Sequence, residues 1–299
     1  MSTLPEPLQH FKEDAEPLLT KLEEIRGTNV LPIFYSINRY VAKPDVDYIY
    51  EALLSIEDKS NIDVILFSHG GDPDQAYLIG SMLQEFTNKK LTVIVPRIAK
   101  SAATLIACAA DELIMLPSSE LGPIDPVIES PETKRYVPVL SLMESFEILV
   151  KKGLSEEVIK EVLHRIPVTE LGDYNRLADH TKSLAERLLV RRMFRDEKDV
   201  AESIAEKLCK GYKSHYASIT LSDVRELGLK LVDITKDVKD AIWNLHKLWI
   251  DKVIEYEDKF PENVKLNAIN FKVGKGVVFC AQPSLEVVEK ACIEGVPKD

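Results

Sequence analysis

Residues 91–117 read LTVIVPRIAKSAATLIACAADELIMLP, and the order of textures in this stretch decides the fold. LTVIV (91–95) is a β-branched apolar run of strand length closed by Pro96, and ELIMLP (112–117) is a second such run. Between them SAATLIACAAD (101–111) is small and apolar on every side, the composition of a short buried helix. A helix joining two fully apolar strands is a crossover, and crossovers join parallel strands. Such strands lie in a sheet whose two faces are both covered.

The same alternation extends outward in both directions. A polar helix spans residues 6–26 and ends at RGTN; VLPIFYS (30–36) is a strand, and a helical stretch follows near 45–57. IDVILF (62–67) is another apolar strand, and PDQAYLIGSMLQEF (73–86) has apolar residues at helical spacing. These repeats predict an α/β chain with a parallel sheet. After LGPIDP (121–126) the pattern becomes mostly helical, including SEEVIKEVLHRI (155–166) and AESIAEKLCKGY (201–212). SITLSDVRELGLKLVDIT (218–235) predicts an N-capped helix, a stop at Gly228 and a short strand. KLNAINFKVGKGVVFCA (265–281) predicts a hairpin turning through VGKG.

Bulk properties narrow the function classes. Thirty-eight Lys and Arg stand against 49 Asp and Glu, a net charge of −11, which argues against a broad nucleic-acid-binding face. The basic stretch RRMFR (191–195) reads as helix surface. Four scattered cysteines (Cys108, Cys209, Cys280, Cys292) form no CxxC pair, as expected of free thiols in a reducing cytoplasm. The N-terminal stretch lacks the pattern of a signal peptide, and no run has the length of a membrane span. The expectation is a soluble cytoplasmic protein, without nucleic acid, integral membrane segment, metal or cofactor.

Chemistry in a parallel sheet collects at the carboxyl ends of its strands. One such exit, FSHGGDPDQAY (67–77), places Gly70 and Gly71 in a strand-to-helix turn. There glycine lets backbone N–H groups face outward, an arrangement suited to an oxyanion or to a tight turn alone. No GK[ST] follows, so it is not a P-loop, nor is it a GxGxxG fingerprint. The second exit, AKSAAT (99–104), sets Ser101 at the mouth of the buried helix, either as a helix cap or as an exposed nucleophile beside the N–H of Ala102.

The order strand, HGGDP, helix, strand, AKSAAT, helix, strand, LPSSELGPIDP resembles the ClpP/crotonase superfamily. Within it the chain is most similar to the serine dehydrogenase proteinase branch, related to signal peptide peptidase A. The likeness covers residues 28–135 and extends through YKSHYASITLSDVRELGLKLVD (212–233). It implies a ClpP/crotonase-like parallel core of repeated ββα units with C-terminal helical additions. The implied divisions are an N-terminal helical extension (1–28), the core (29–137) and a helical region with return strand and hairpin (138–299) in the same domain. It implies a serine peptidase acting on peptides or proteins by acyl transfer and assembling as a homo-oligomer. Ser101 takes the nucleophile position, and the amides of Gly71 and Ala102 form the oxyanion hole.

The resemblance is incomplete at the base. Clp-type proteases carry a histidine in the segment that here reads LGPIDP, with Asp125 in its place. Relatives of the signal peptide peptidase kind use lysine, which points to Lys134 in SPETKRYVPVL as the proton acceptor, assisted by Arg135. Lys100 adjoins Ser101 but points to the opposite face. His69, Gly70, Asp125 and His215 are supporting candidates. His10, His164 and His180 show no metal-ligand spacing, and Asp72 and Asp74 read as acidic residues at a helix start. Two other readings keep the fold: a crotonase-like acyl-CoA enzyme, for which Ser101 is dispensable, and an inactive oligomeric scaffold.

Overall fold

A computed structural model describes residues 4–129, 134, 136–152, 157–158, 160–161, 168–261 and 264–284. The chain opens with helix α1 (Glu6–Arg26), which buries Leu8, Phe11, Ala15, Leu19 and Leu22 at helical spacing and stops at Gly27 in the left-handed conformation. Strand β1 (Asn29–Tyr35), helix α2 (Asp45–Leu54), strand β2 (Asn61–Phe67), helix α3 (Pro73–Phe86) and strand β3 (Lys90–Val95) follow the expected alternation. A two-residue strand β4 (Ile98–Ala99) leads into the buried helix α4 (Ala102–Ala107) and strand β5 (Glu112–Met115). The six-residue α4 is shorter than the 101–111 expectation, because Cys108–Ala110 close it as turns.

Short strands β6 (Glu120–Leu121), β7 (Val127–Glu129) and β8 (Tyr136–Pro138) precede helices α5 (Val139–Lys151), α6 (Val168–Arg191) and α7 (Lys198–Lys210). Most of the helix expected over 155–166, His164 included, lies outside the described residues. Strand β9 (Ile219–Thr220) ends in a capping box, in which Thr220 and Asp223 satisfy each other's backbone N–H at the start of helix α8 (Leu221–Leu227). Gly228 terminates that helix in the left-handed region. Helix α9 (Lys236–Trp249), a π-helical turn (Ile250–Ile254) and helix α10 (Glu255–Glu257) lead to the hairpin β10 (Leu266–Val273) and β11 (Gly276–Pro283).

The main sheet has the order β10-β11-β1-β2-β3-β5, with every pairing parallel except β10 with β11. Its strands β1, β2 and β3 are buried on both faces, as their continuous apolar runs require, whereas the edge strand β10 is only partly buried. One face packs on α2, α3, α4, α6 and α7, and the other on α1 and α9 around Phe11, Phe34 and Trp249. A small sheet of order β4-β6-β9 stands beside the carboxyl ends of the main strands. The hairpin was legible in the sequence; its insertion beside β1, with Ile33 opposite Val277, was not. Among the described residues no helix is long and apolar enough to cross a membrane.

One buried histidine makes the fold sensitive to acid. His246 on α9 is 6% exposed, and its Nδ1 has no hydrogen-bond partner among the described residues. Burial, with the charge of Arg97 added, lowers its pKa to about 4. The unfolded chain therefore takes up this proton first as the pH falls. The resulting stability is complete above about pH 6.5 and is lost as the pH falls toward 4, by up to about 3 kcal/mol. Urea unfolding at pH 7 and 4.5 should reveal this loss, and His246→Phe should flatten that part of the profile.

Candidate active site

The site is built where β2 and β4 end. Gly70 and Gly71 adopt φ of 111° and 143°, a region closed to most side chains. Val41 grips this turn from the loop after β1: its N–H donates to Gly70 O at 2.8 Å, and its carbonyl accepts from Asp72 N–H at 2.9 Å. With its two neighbours held in this way, Gly71 keeps its own N–H free of any described partner. A Cβ at Gly71 would lie 2.4 Å from both Val41 N and Val41 O, so the backbone approach demands glycine. Asp72 then caps α3, its carboxylate accepting from Asp74 N–H and Gln75 N–H.

Ser101 adopts φ 53° and ψ −120°, and its side chain caps nothing. A non-glycine residue held in so sparse a region typically stores about 1–3 kcal/mol of strain. Gly70 makes room for this turn, since a Cβ there would sit 2.8 Å from Ser101 Cβ and 2.9 Å from Lys100 O. Thr104 fastens the turn to the next segment. Its hydroxyl reaches the carbonyls of Ala99 and Gly122, each at 2.8 Å, and lies 3.1 Å from Gly122 N. The Ala102 N–H, like that of Gly71, has no described partner.

A cavity of about 160 Å³ opens over these atoms. Gly71, Ser101 and Ala102 line it together with Leu105, Asp125 and, from α6, Thr181. Asp125 is 5% exposed and accepts from His215 Nδ1 at 2.9 Å. The two residues are 90 positions apart in sequence. His215 Nε2 has no partner among the described residues, and its side chain is 13% exposed. Four of the expected site residues thus share one cavity, and a fifth is bonded to its wall.

The remaining candidates lie elsewhere. Lys134 sits between β7 and β8 with its side chain 75% exposed and 3.8 Å from Glu129, and is not among the residues that line the cavity. His69 packs edge-on against Phe67; burial and then the nearby Lys100 charge hold its imidazole below the ordinary value. Lys100 turns away from Ser101 to Glu120 Oε2 at 3.1 Å and Tyr216 O at 3.2 Å, so it ties the β9 segment to the turn. His180, which shows no metal-ligand spacing in the sequence, meets Asp74 at 2.7 Å. Sequence reasoning missed Leu177 and Thr181 as cavity walls; α6 is amphipathic like any packed helix and carries no motif there. Among the described residues no group of three or more His, Cys, Asp or Glu could hold a metal.

Among the described residues the arrangement sets an unpartnered serine hydroxyl and two free backbone N–H groups at one cavity, whose wall carries Asp125 bonded to the part-buried His215.

A family model for ClpP-like SDH-type serine proteinases matches residues 18–260. Two uncharacterized proteins of Methanocaldococcus jannaschii are similar to this chain. One is 28% identical over 243 residues, 77% of this chain and 75% of the relative. The other is 26% identical over 237 residues, 76% and 70% of the two chains. Among solved structures, two mutant forms of the 1510-N membrane-bound stomatin-specific protease are similar at 14% identity. Their TM-scores are 0.46 and 0.45, covering 70% and 89% of this chain and 80% and 97% of theirs; the second holds a substrate peptide.

Proposed function

The chain belongs to the family of ClpP-like SDH-type serine proteinases, and from that premise we propose that it hydrolyses peptide bonds by acyl transfer through Ser101. The observation that carries this reading is the shared cavity, in which an uncapped, strained Ser101 faces the same space as the free amides of Gly71 and Ala102. Ser101 Oγ attacks the scissile carbonyl carbon as its proton passes to a base. The carbonyl oxygen becomes an oxyanion that accepts from the two N–H groups. Collapse of this intermediate breaks the C–N bond, and the protonated base returns the proton to the departing amine. Water then repeats the sequence on the acyl-enzyme and releases the second product.

His215 is the base in this proposal. A serine hydroxyl needs a proton acceptor near neutral pH, and a histidine whose Nδ1–H is engaged by a buried carboxylate presents Nε2 as that acceptor. The Asp125–His215 bond at 2.9 Å, with Asp125 on the cavity wall, supports this role. The chain order Ser, Asp, His matches that of α/β-hydrolases. Lys134 remains the second reading: it sits beyond β7, whose first residue, Val127, lines the cavity, so the hairpin rises from the rim. Homo-oligomeric assembly and a cytoplasmic setting belong to the same proposal.

Covalent labelling with a fluorophosphonate tests the reading directly. Intact mass and peptide mapping should find one adduct, at Ser101, absent from Ser101→Ala. Folded protein without an adduct would remove the peptidase reading and favour the acyl-CoA or scaffold alternatives.

A further inference from the structure

We infer that the buried Asp45–Arg39 pair is a positioning device that aims the Gly71 amide into the active site; this rests on the peptidase reading above. Gly71 has no side chain with which to fix its own peptide plane, and at φ 143° its conformation is not self-enforcing. Its position depends on Val41, whose N–H and C=O clamp Gly70 O and Asp72 N–H. Val41 belongs to the connection between β1 and α2, which has no strand or helix to stiffen it beyond its single bridge with Gly71.

What fixes Val41 lies one residue on. Ala42 N–H donates to Asp45 Oδ2 at 2.9 Å, and Asp45 is fully buried at the start of α2. Asp45 Oδ1 accepts from Arg39 Nη2 at 3.0 Å. The other end of that guanidinium, Nη1, donates to Asn270 Oδ1 at 2.9 Å and Cys280 O at 3.2 Å. Asn38 adds a second tie, Nδ2 donating at 2.8 Å to the buried Glu257, which itself accepts from Ala281 N–H at 2.7 Å. The loop is thus braced on both sides of Val41 against α2 and the C-terminal hairpin. Two buried carboxylates at its anchor points exceed what a surface connection needs for stability, because each must be desolvated. Rigid placement of an oxyanion donor is the benefit such a brace provides, since a displacement of about 1 Å can cost about 10²-fold in rate.

Asp45→Asn keeps the shape and removes the charge that holds Arg39; Arg39→Lys keeps the charge and loses the bridge to Asn270 and Cys280. Two readouts separate positioning from plain stability. Turnover per titrated active site should fall by on the order of 10²-fold with KM nearly unchanged. Backbone amide resonances of Gly71 and Asp72 should move while those within β2 stay in place. Either variant suffices if the other does not fold. Unchanged turnover per titrated site, or an unmoved Gly71 amide, overturns the inference. A wild-type protein that neither labels at Ser101 nor cleaves peptides sinks the peptidase reading instead, and the amide resonances then decide the brace alone.

Discussion

Ser101→Ala should lower peptidase turnover by on the order of 10⁴- to 10⁶-fold, since removing the nucleophile leaves only the contribution of the oxyanion hole and binding. Ser101→Gly should be equally inactive and yet more stable than the wild type. Both serine and alanine at this position must hold φ 53° and ψ −120°, where glycine is at ease. Against about 1–3 kcal/mol of released strain stands the larger chain entropy that glycine loses on folding, about 0.5–1 kcal/mol. The net expectation is a gain of about 1 kcal/mol, which calorimetry on the three proteins would read as a higher Tm for Ser101→Gly alone. The pair of variants separates chemistry from strain. Retained turnover in Ser101→Ala would end the nucleophile assignment, while a Ser101→Gly variant no more stable than Ser101→Ala would mean that the turn is relaxed.

The second large effect concerns the proton. His215→Gln should reduce turnover by on the order of 10³- to 10⁴-fold, and Asp125→Asn by a comparable factor, because an amide no longer holds the imidazole with Nδ1 as donor. The double variant should be little worse than either single one, since residues acting as one unit lose their joint contribution together. Lys134→Met should stay within a few-fold of wild type, as expected for an exposed side chain whose ion pair with Glu129 spans 3.8 Å. The reverse pattern, full activity in His215→Gln and none in Lys134→Met, would transfer the role of base to the lysine. Kinetics on one peptide substrate under one set of conditions suffice to tell the two patterns apart.

The parts of this molecule written in local pattern were legible in the sequence. Ser101 stands between a β-branched strand and an alanine-rich helix, and Gly70 and Gly71 stand between a strand and a capped helix; each is a signal of a few residues. The Asp125–His215 bond is not local. It forms because β9, just beyond His215, pairs with β6, just before Asp125, and nothing in either segment specifies that pairing. The same is true of the cavity wall from α6 and of β11 beside β1, where a hairpin pattern fixes its own turn but not its neighbour. Lys134 entered through the resemblance alone, and the exposure of its side chain is a property of tertiary placement.

The position of β11 also bears on biosynthesis. The first strand of the main sheet has β11 as one of its two partners, so a ribosome-bound chain that has emerged only as far as α9 carries β1 with one edge bare. The braces on Arg39 and Asn38 come from the same late hairpin and from Glu257 just before it. The turn that carries Gly71 is therefore fully braced only after β10 and β11, far downstream in the chain, have been made and have closed the sheet, a slow long-range step.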